Sequence, residues 1–384
     1  MRNSRWTRHL GLPAAACALA LVMACGGGGS GTAAGPGPLA THTYSATASV
    51  GDFLTITVDP NSDTIDYTNH TNGRSGTVSY TVGSDGTYNI TTPGGGLIKA
   101  YEIPGFALVA SADNTGSGGT TTSLVTAILQ APISLGWLES KNFNYMQWRT
   151  SLGGMGIGTV AIDGSGNAST EGYWPFGAMQ VALGVGEDAS AWSSNSFSVS
   201  DFSVDASGNF LTLTEGQGTD TVFATQGGFF VVDNPNGSII SVPQASSGAF
   251  DPGTAGTYKA LAFFKNATMG SGSNTETGTG VVDGYTLTLS DAGLLTVTNA
   301  SGTTVSSQTI QPVSSVPGLM ASGTGQLPAC PGLFTYSVNS AHNTQVVFLE
   351  FIDQAILFCS YSYDPTQTVS NPTYSYFYGV ALQQ

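Results

Sequence analysis

The stretch Gly158-Thr-Val-Ala-Ile-Asp-Gly-Ser-Gly-Asn167 contains the pattern on which the fold of this chain depends. Apolar and small polar side chains alternate up to Ile162, and a turn rich in Asp, Gly and Asn follows directly. Alternation places every second side chain on the same face of a β-strand. An Asp-Gly turn between two such runs favours an antiparallel hairpin. The stretch therefore predicts two antiparallel strands joined by a tight turn.

The same pattern recurs along the chain. Similar turns occur at Asp85-Gly86, Asp205-Ala-Ser-Gly-Asn209 and Asp291-Ala-Gly293. Alternating runs of four to eight residues surround them, at 53–58, 76–82, 197–204, 209–214, 285–289 and 345–351. The nearest approach to helical periodicity, at 124–129, fits a strand equally well. We therefore predict an all-β protein with very little helix.

Weak internal repeats indicate how these hairpins are grouped. Gly158–Gly164 resembles Gly278–Gly284, and Pro104–Ser111 resembles Pro317–Ser322 and, less closely, Gly228–Val232. Repeated hairpins build up-and-down sheets that must close or stack to protect their edges. We expect two or three antiparallel meander modules shaped as barrels or sandwiches, over 41–136, 137–250 and 251–384. A β-propeller is the alternative, because four-stranded blades also repeat their turns.

The composition argues against whole classes of partner. The chain has 384 residues, of which only 9% are charged. Residues 1–24 contain three arginines and no acidic residue, so the remainder carries six basic and 24 acidic residues, a net charge of −18. Nucleic-acid binding needs clustered Lys and Arg, as does binding to anionic lipid through a basic patch. Neither is expected here.

The first residues carry a targeting signal. Arg2, Arg5 and Arg8 precede a short apolar stretch, and Ala24-Cys25 follows it. A positive region, an apolar region and a small residue form a signal peptide, and about 14 apolar residues are too few to span a bilayer as a helix. An ordinary secretory signal with an incidental Cys25 is the alternative. Glycine-rich sequence follows the cysteine, which is typical of a flexible tether.

These residues resemble the signal peptide and lipobox of bacterial lipoproteins. The resemblance implies cleavage before Cys25, lipidation of its thiol and acylation of the new amino terminus. It divides the start of the chain into a signal peptide over 1–24 and a lipidated tether over 25–40. Gly26, where an Asp favours inner-membrane retention in enteric lipoproteins, implies sorting to the outer membrane.

A broader resemblance covers most of the chain. The Gly-Thr-Tyr strands at 86–88 and 256–258, with the Asp-Gly hairpins and the glycine spacer, resemble uncharacterised all-β lipoproteins of Gram-negative bacteria. This resemblance implies an envelope location and an all-β fold, and it implies no activity. A membrane-spanning barrel is disfavoured, because strands rich in Thr, Ser and Asn lack a continuous lipid-facing band.

Two cysteines outside the N-terminal region are candidates for a disulfide. Cys17 lies within the signal peptide and Cys25 is the lipidation site, which leaves Cys330 and Cys359. Exported compartments permit disulfides, and a bond here would close a loop of about 30 residues. We predict that these two cysteines are disulfide-bonded.

No catalytic or metal-binding motif appears in the sequence. His42, His70 and His342 are the histidines outside the signal peptide, and nothing in the sequence selects one for a Ser-His-Asp triad. The run Asp59–Asp66 has oxygen side chains at alternate positions, as in half of a calcium loop. It lacks the expected Gly and the closing Glu, and an Asx-rich turn is the simpler interpretation. No cofactor or metal is predicted.

Scattered acids and aromatic clusters leave other options open. Glu350 is the one acid inside a strongly apolar strand, and alternation could point it outward. The cluster Tyr173–Phe176 could bind sugars or a protein. Tyr374, Tyr376 and Tyr378 share one face of a strand, which favours a core role. We therefore expect a non-catalytic envelope lipoprotein that presents β modules to a protein or glycan partner. The alternative is a polysaccharide or ester hydrolase whose site assembles only in space.

Overall fold

The computed structural model describes residues 39–91, 97–116, 119–149, 156–175, 196–215, 218–225, 228–269, 274–313, 330–364, 366 and 373–384. Leu39–Gln384 forms one compact unit. Its strands are arranged in three antiparallel sheets, and no ring of blades is present among the described residues. The all-β, up-and-down prediction is therefore confirmed, and the propeller alternative is wrong.

The first sheet closes on itself as an eight-stranded barrel, because β1 pairs with both β2 and β8. Its strands follow one another in sequence order: β1 His42–Ala48, β2 Phe53–Asp59, β3 Thr64–Asn69, β4 Arg74–Val82, β5 Tyr88–Thr91, β6 Leu97–Ile103, β7 Ala107–Gly116 and β8 Gly119–Leu129. Closure leaves this sheet without an edge strand.

The second sheet has nine strands in the order β12-β11-β10-β9-β17-β16-β15-β14-β13. They are β9 Lys141–Arg149, β10 Gly156–Ile162, β11 Asn167–Pro175, β12 Ser196–Ser198, β13 Ser203–Val204, β14 Leu211–Glu215, β15 Gly218–Ala224, β16 Phe230–Asn234 and β17 Gly237–Pro243. A 3₁₀ turn, Leu135–Trp137, precedes it.

The third sheet repeats this topology nine strands later, in the order β21-β20-β19-β18-β26-β25-β24-β23-β22. Its strands are β18 Gly256–Met269, β19 Asn274–Leu289, β20 Leu294–Thr298, β21 Thr304–Thr309, β22 Gln311–Pro312, β23 Leu333–Asn339, β24 Thr344–Ile352, β25 Ala355–Tyr363 and β26 Thr373–Gln383. A 3₁₀ turn, Pro252–Thr254, precedes this sheet. Each similar stretch involves the second strand of its sheet in chain order: Gly278–Gly284 lies within β19, and Gly158–Gly164 runs from β10 into the turn that follows it.

One predicted strand is interrupted. The run 197–204 contains a 3₁₀ turn, Val199–Asp201, between β12 and β13. The Ser198 side chain accepts from the turn, and the Asp201 carboxylate accepts from the Ser198 backbone N–H. This capping box gives the backbone an alternative to the sheet ladder, so the predicted single strand is wrong here.

The described apolar side chains form four cores. The barrel interior and the interiors of the second and third sheets each contain one. The fourth, here called the central core, combines residues from all three sheets, among them Val109, Trp148 and Phe348. Many strands of all three sheets therefore bury both faces, one in their own interior and one in the central core.

Candidate functional site

The interior of the third sheet contains a cavity of about 220 Å³. The sheet is curved but not closed: β21 and β22 are its two ends, and β21 lies beside β23 without pairing with it. Val305 on β21 lines the cavity at this gap and is 53% exposed. The gap between β21 and β23 therefore provides a route from solvent to the cavity.

Small residues on the central strands create the space. Ala260 and Ala262 on β18 line the cavity where larger side chains would fill it. A β-carbon on Gly379 of β26 would lie 2.2 Å from the Phe358 ring and 2.6 Å from the Leu261 carbonyl oxygen. The glycine therefore lets the Phe358 ring, which also lines the cavity, lie directly over its neighbouring strand.

Four described polar side chains line the cavity from β21 and from β23 to β25, and Tyr285 lines it from β19. Tyr336 on β23 and Ser306 on β21 line the cavity from either side of the gap. The Gln345 amide donates to the Ser360 hydroxyl over 3.2 Å. Burial raises the pKa of Tyr336 to about 12, so its hydroxyl stays protonated at neutral pH. Among the described residues, no charged side chain lines the cavity.

Glu350 lies elsewhere, in the central core. It is 1% exposed, and neither carboxyl oxygen has a hydrogen-bond partner. Burial raises its pKa well above the usual value, because removal from water disfavours the charged form. The outward orientation considered from the sequence is wrong, because Phe348 and Ile352 on the same face also lie in the central core.

Glu102 is held inside the barrel by two tyrosines. The Tyr44 and Tyr88 hydroxyls each donate to one of its carboxylate oxygens over 2.5 Å. The Gly105 backbone N–H donates to the Tyr44 oxygen. Burial and the adjacent carboxylate raise the pKa of both tyrosines. This arrangement fixes one end of the barrel and uses both carboxylate oxygens.

Asp233, which is buried, joins the barrel to the second sheet. The Thr47 hydroxyl of β1 donates to Asp233 of β16 over 2.5 Å. Burial, with smaller contributions from the Asp52 and Asp220 carboxylates, raises the pKa of Asp233 to about 8. Asp233 is thus largely protonated at neutral pH and lies in a contact rather than in an open pocket.

The three candidate histidines lie at separate places. The His70 ring stacks on Phe53 with centroids 4.9 Å apart, and the His42 and Tyr44 centroids are 6.4 Å apart. His342 Nδ1 lies 3.9 Å from Asp364, but the side chain is 78% exposed. The Thr366 hydroxyl lies 3.4 Å from His342 Nδ1 and donates to Asp364 over 2.7 Å. In a Ser-His-Asp triad the hydroxyl instead gives its proton to the histidine.

The calcium-like run forms a turn. The Asp59 carboxylate accepts from the Asn61 backbone, the Asn61 amide and the Ser62 hydroxyl. These bonds stabilise the carboxylate and lower its pKa, as in the Asx-rich turn considered from the sequence. Among the described residues, no group of three or more His, Cys, Asp or Glu side chains could hold a metal ion.

Cys330 and Cys359 carry thiols in the structure, which does not show the predicted disulfide. Cys359 lies in the central core, and Cys330 packs against that core. Burial raises the pKa of Cys330 to about 12 and that of Cys359 well above its usual value, with Glu350 contributing to both shifts. The disulfide stays a prediction.

Several predicted features lie outside the described residues. These are Cys25 and its signal peptide, Phe176, and the side chains of Tyr173, Trp174 and Tyr374. Tyr376 and Tyr378 are 1% and 2% exposed in the central core, as their spacing predicted. Among the described residues, no helix is both long and apolar enough to cross a membrane.

Sequence reasoning missed the cavity and Asp233. The available signal for the cavity was the pair of alanines within the apolar strand Tyr258-Lys-Ala-Leu-Ala-Phe-Phe264. Two small residues in such a strand indicate either close packing or space, and the sequence does not distinguish these. Asp233 gave no signal, because its burial depends on a residue 186 positions away.

Comparison with known proteins gives distant structural similarities only. No protein-family model and no curated protein matches the chain. A mutant of the vaccine antigen transferrin-binding protein B from Haemophilus parasuis is 7% identical, with 91% of this chain and 77% of that chain covered and a TM-score of 0.23.

Two further structures are similar at the same level. A putative outer membrane protein from Bacteroides fragilis is 8% identical, with 90% of this chain and 97% of that chain covered and a TM-score of 0.18. A protein of unknown function from Nostoc punctiforme is also 8% identical, with 90% of this chain and 96% of that chain covered and a TM-score of 0.17. Similarities this low identify no family, partner or activity for this chain.

Proposed function

We propose that this protein is a non-catalytic lipoprotein of the bacterial cell envelope, anchored through a lipid on Cys25, that binds a ligand through its β modules. The observation that carries the binding role is the cavity of the third sheet, which opens through the gap between β21 and β23. Binding sites are typically concave and mostly apolar, with a few polar groups that orient the ligand. The cavity has these properties.

The absence of catalysis is proposed from the placement of three acids in the interior of the structure. General acid–base chemistry needs a titratable group within hydrogen-bonding reach of a bound substrate. Glu350 lies in the central core, Glu102 is bonded to two tyrosines, and Asp233 lies between two sheets. None of these three carboxyls lines the cavity.

Anchoring is proposed from the N-terminal residues. Three arginines, a short apolar stretch and Ala24-Cys25 each supply a step of lipoprotein processing, and a glycine-rich segment follows. Two or more acyl chains give stable membrane attachment, whereas one chain binds only marginally. We propose the outer membrane as the destination, because Gly26 follows the cysteine.

Replacement of Cys25 tests the anchor. The Cys25→Ser variant should take up no labelled palmitate and should move from the membrane to the soluble fraction. Cys17→Ser is the matched control, because Cys17 lies within the signal peptide, and it should label and fractionate like the wild type. A wild type that takes up no label, together with a Cys25→Ser variant that stays with membranes, would show that the anchor proposal is wrong.

Replacement of Gly26 tests the destination. Gly26→Asp should shift the acylated protein toward the inner-membrane fraction of a density gradient, while palmitate labelling stays unchanged. Unchanged sedimentation in a host that sorts by this residue would contradict the outer-membrane assignment and leave lipidation intact.

We also propose that Cys330 and Cys359 form a disulfide in the exported protein. Both side chains border the central core, and an exported protein meets an oxidising environment. Because burial disfavours both thiolates, the bond should form during folding rather than afterwards. Mass spectrometry of unreduced peptides should find the two cysteines linked. Two alkylatable thiols in exported, unfolded protein would contradict this.

A further inference from the structure

We propose that the cavity of the third sheet binds a small neutral molecule with an apolar body and one hydroxyl group, of the size of a medium-chain alcohol. This deepens the proposed function and rests on it only for the statement that the ligand is bound rather than converted. The ligand class follows from three properties of the cavity: its volume, its charge and the position of its polar groups.

The volume sets the size of the ligand. A cavity of roughly 150 Å³ in another protein holds benzene, so 220 Å³ corresponds to about nine non-hydrogen atoms. A drug-sized ligand or a sugar chain needs a larger site, since such pockets typically measure roughly 300–1,000 Å³. A long acyl chain would likewise exceed the space.

The uncharged lining of the cavity disfavours an ionic ligand. Transferring an isolated carboxylate or ammonium into apolar surroundings is costly unless an opposite charge pairs with it. The described lining residues include no acid, lysine, arginine or histidine. A fatty acid anion of suitable length would therefore bind more weakly than the alcohol of the same length.

The polar groups fix the orientation. Tyr336 on β23 is paired with Val347, and Val347 is paired with Ser360, so Tyr336 and Ser360 belong to one row across the sheet. Gln345 lies on the same face of β24, two residues from Val347. A ligand hydroxyl can donate and accept at once, and it can therefore join the hydrogen-bonded pair of Gln345 and Ser360.

The rest of the cavity is apolar apart from Tyr285 on β19. Leu287, Leu295 and Leu349 line it and are buried, with exposures of 5%, 1% and 1%. Burial of methylene groups against such side chains supplies the affinity. The hydrocarbon body of the ligand therefore lies among these leucines, with its hydroxyl toward Ser360.

The described side chains inside the second sheet pack differently from those inside the third. The second sheet's interior contains Ile133 and Leu138 from the segment before β9, and the Phe143 and Phe230 rings, which lie 4.6 Å apart. In the third sheet Phe250 packs against Phe334 and Phe351 instead. None of these three phenylalanines lines the cavity.

Calorimetric titration with 1-octanol and with octanoate tests the ligand class. The full chain carrying Cys25→Ser is suitable, because it needs no detergent that would compete for the cavity. 1-Octanol should bind with one site per chain, and octanoate should bind at least about tenfold more weakly. Failure of 1-octanol to bind would overturn the proposal, and equal binding of octanoate would overturn the neutral ligand class.

Two variants locate the site. Ala262→Leu places a larger side chain in the cavity and should lower the affinity for 1-octanol at least about tenfold. Val305→Trp narrows the gap beside β21 and should slow binding or abolish it. Leu294→Trp is the matched control: Leu294 lies on neighbouring β20, is 42% exposed and does not line the cavity. Circular dichroism of each variant confirms that it folds.

The outcomes separate this proposal from the proposed function. Binding that neither cavity variant reduces would place the ligand elsewhere and overturn the inference. Nuclear magnetic resonance shows whether the protein converts 1-octanol or octyl acetate. Conversion of either compound would overturn the non-catalytic function and leave the binding site in place. If Cys25→Ser fails to release the protein from membranes, only the proposal of a lipid anchor is contradicted.

Discussion

Glu350 lies in the central core with no hydrogen-bond partner for either carboxyl oxygen. Removing such a group from water costs free energy, and ionising it costs more. The neutral form avoids the larger cost, which is why its pKa is raised. The carboxyl therefore reduces the stability of the fold most where the pH favours ionisation.

We expect Glu350→Gln to stabilise the protein in a pH-dependent way. The folded pKa lies above the unfolded pKa of about 4.3. The free energy of unfolding of the wild type is therefore highest, as far as Glu350 is concerned, below the unfolded pKa. It decreases as the pH rises toward the folded pKa. The variant should melt about 2–5 °C above the wild type at pH 8, with little difference at pH 4. The exposed Asp291→Asn is the control, and a pH-independent effect of Glu350→Gln would contradict this account.

The sequence predicted the residues of the turns better than the environments of the acids. Gly86, Gly166, Gly208 and Gly293 in the Asp-Gly turns all adopt positive φ, between 74° and 79°. That requirement is local, so it is visible in the sequence. The side on which Glu350 is buried is not local, because alternation does not distinguish the faces of a sheet that is covered on both.

At the scale of elements, strands followed from alternation. The runs predicted at 53–58 and 345–351 correspond to β2 and β24, with one or two further residues. The order of strands was less accessible. Pairing of β9 with β17 and of β18 with β26 closes large loops, and no short-range pattern specifies such a contact. The cavity depends on this closure, and so it was not predicted.

Close approach of β25 and β26 requires Gly379. A β-carbon there would overlap both the Phe358 ring and the Leu261 carbonyl oxygen, and the carbonyl is backbone that cannot move aside. We expect Gly379→Ala to destabilise the protein by about 3 kcal/mol or more in urea unfolding. Gly248→Ala is the matched control, since nothing lies within 4 Å of its β-carbon position. Equal effects of the two substitutions would contradict the close contact.

The contact between β1 and β16 should respond to pH. The pKa of Asp233, about 8 when folded, exceeds the unfolded value of about 3.9. The contribution of Asp233 to the free energy of unfolding is complete below about pH 4. It decreases by a few kcal/mol as the pH rises toward 8. Asp233→Asn should therefore lose less stability than the wild type between pH 5 and pH 8 in urea titrations. Thr47→Ser keeps the hydroxyl and should behave like the wild type. Identical pH profiles of Asp233→Asn and wild type would refute this role.

At the scale of the whole molecule, the central core joins the three sheets. The barrel contributes Val109, the second sheet Trp148, and the third sheet Phe263 and Tyr378. A barrel of eight strands closes its own edge, but its outer face still carries apolar residues that the other sheets cover. The three predicted segments, 41–136, 137–250 and 251–384, should therefore depend on one another for stability.

Trp148 is the residue through which this dependence can be measured. It is 2% exposed, and its ring lies 4.9 Å from Phe263 and 5.8 Å from Tyr378, both in the third sheet. Trp148→Ala should cost about 3–5 kcal/mol and should lower hydrogen-exchange protection in all three sheets together.

Trp137→Ala is the matched control for that measurement. Trp137 packs against the interior of the second sheet, with the Lys141 ammonium 3.6 Å from its ring centroid, and it is not part of the central core. Its loss should reduce protection mainly in the second sheet, because the contacts removed belong to that interior. If Trp148→Ala also affects the second sheet alone, the central core does not couple the sheets. The predicted segments would then unfold as separate domains, each stabilised by its own interior.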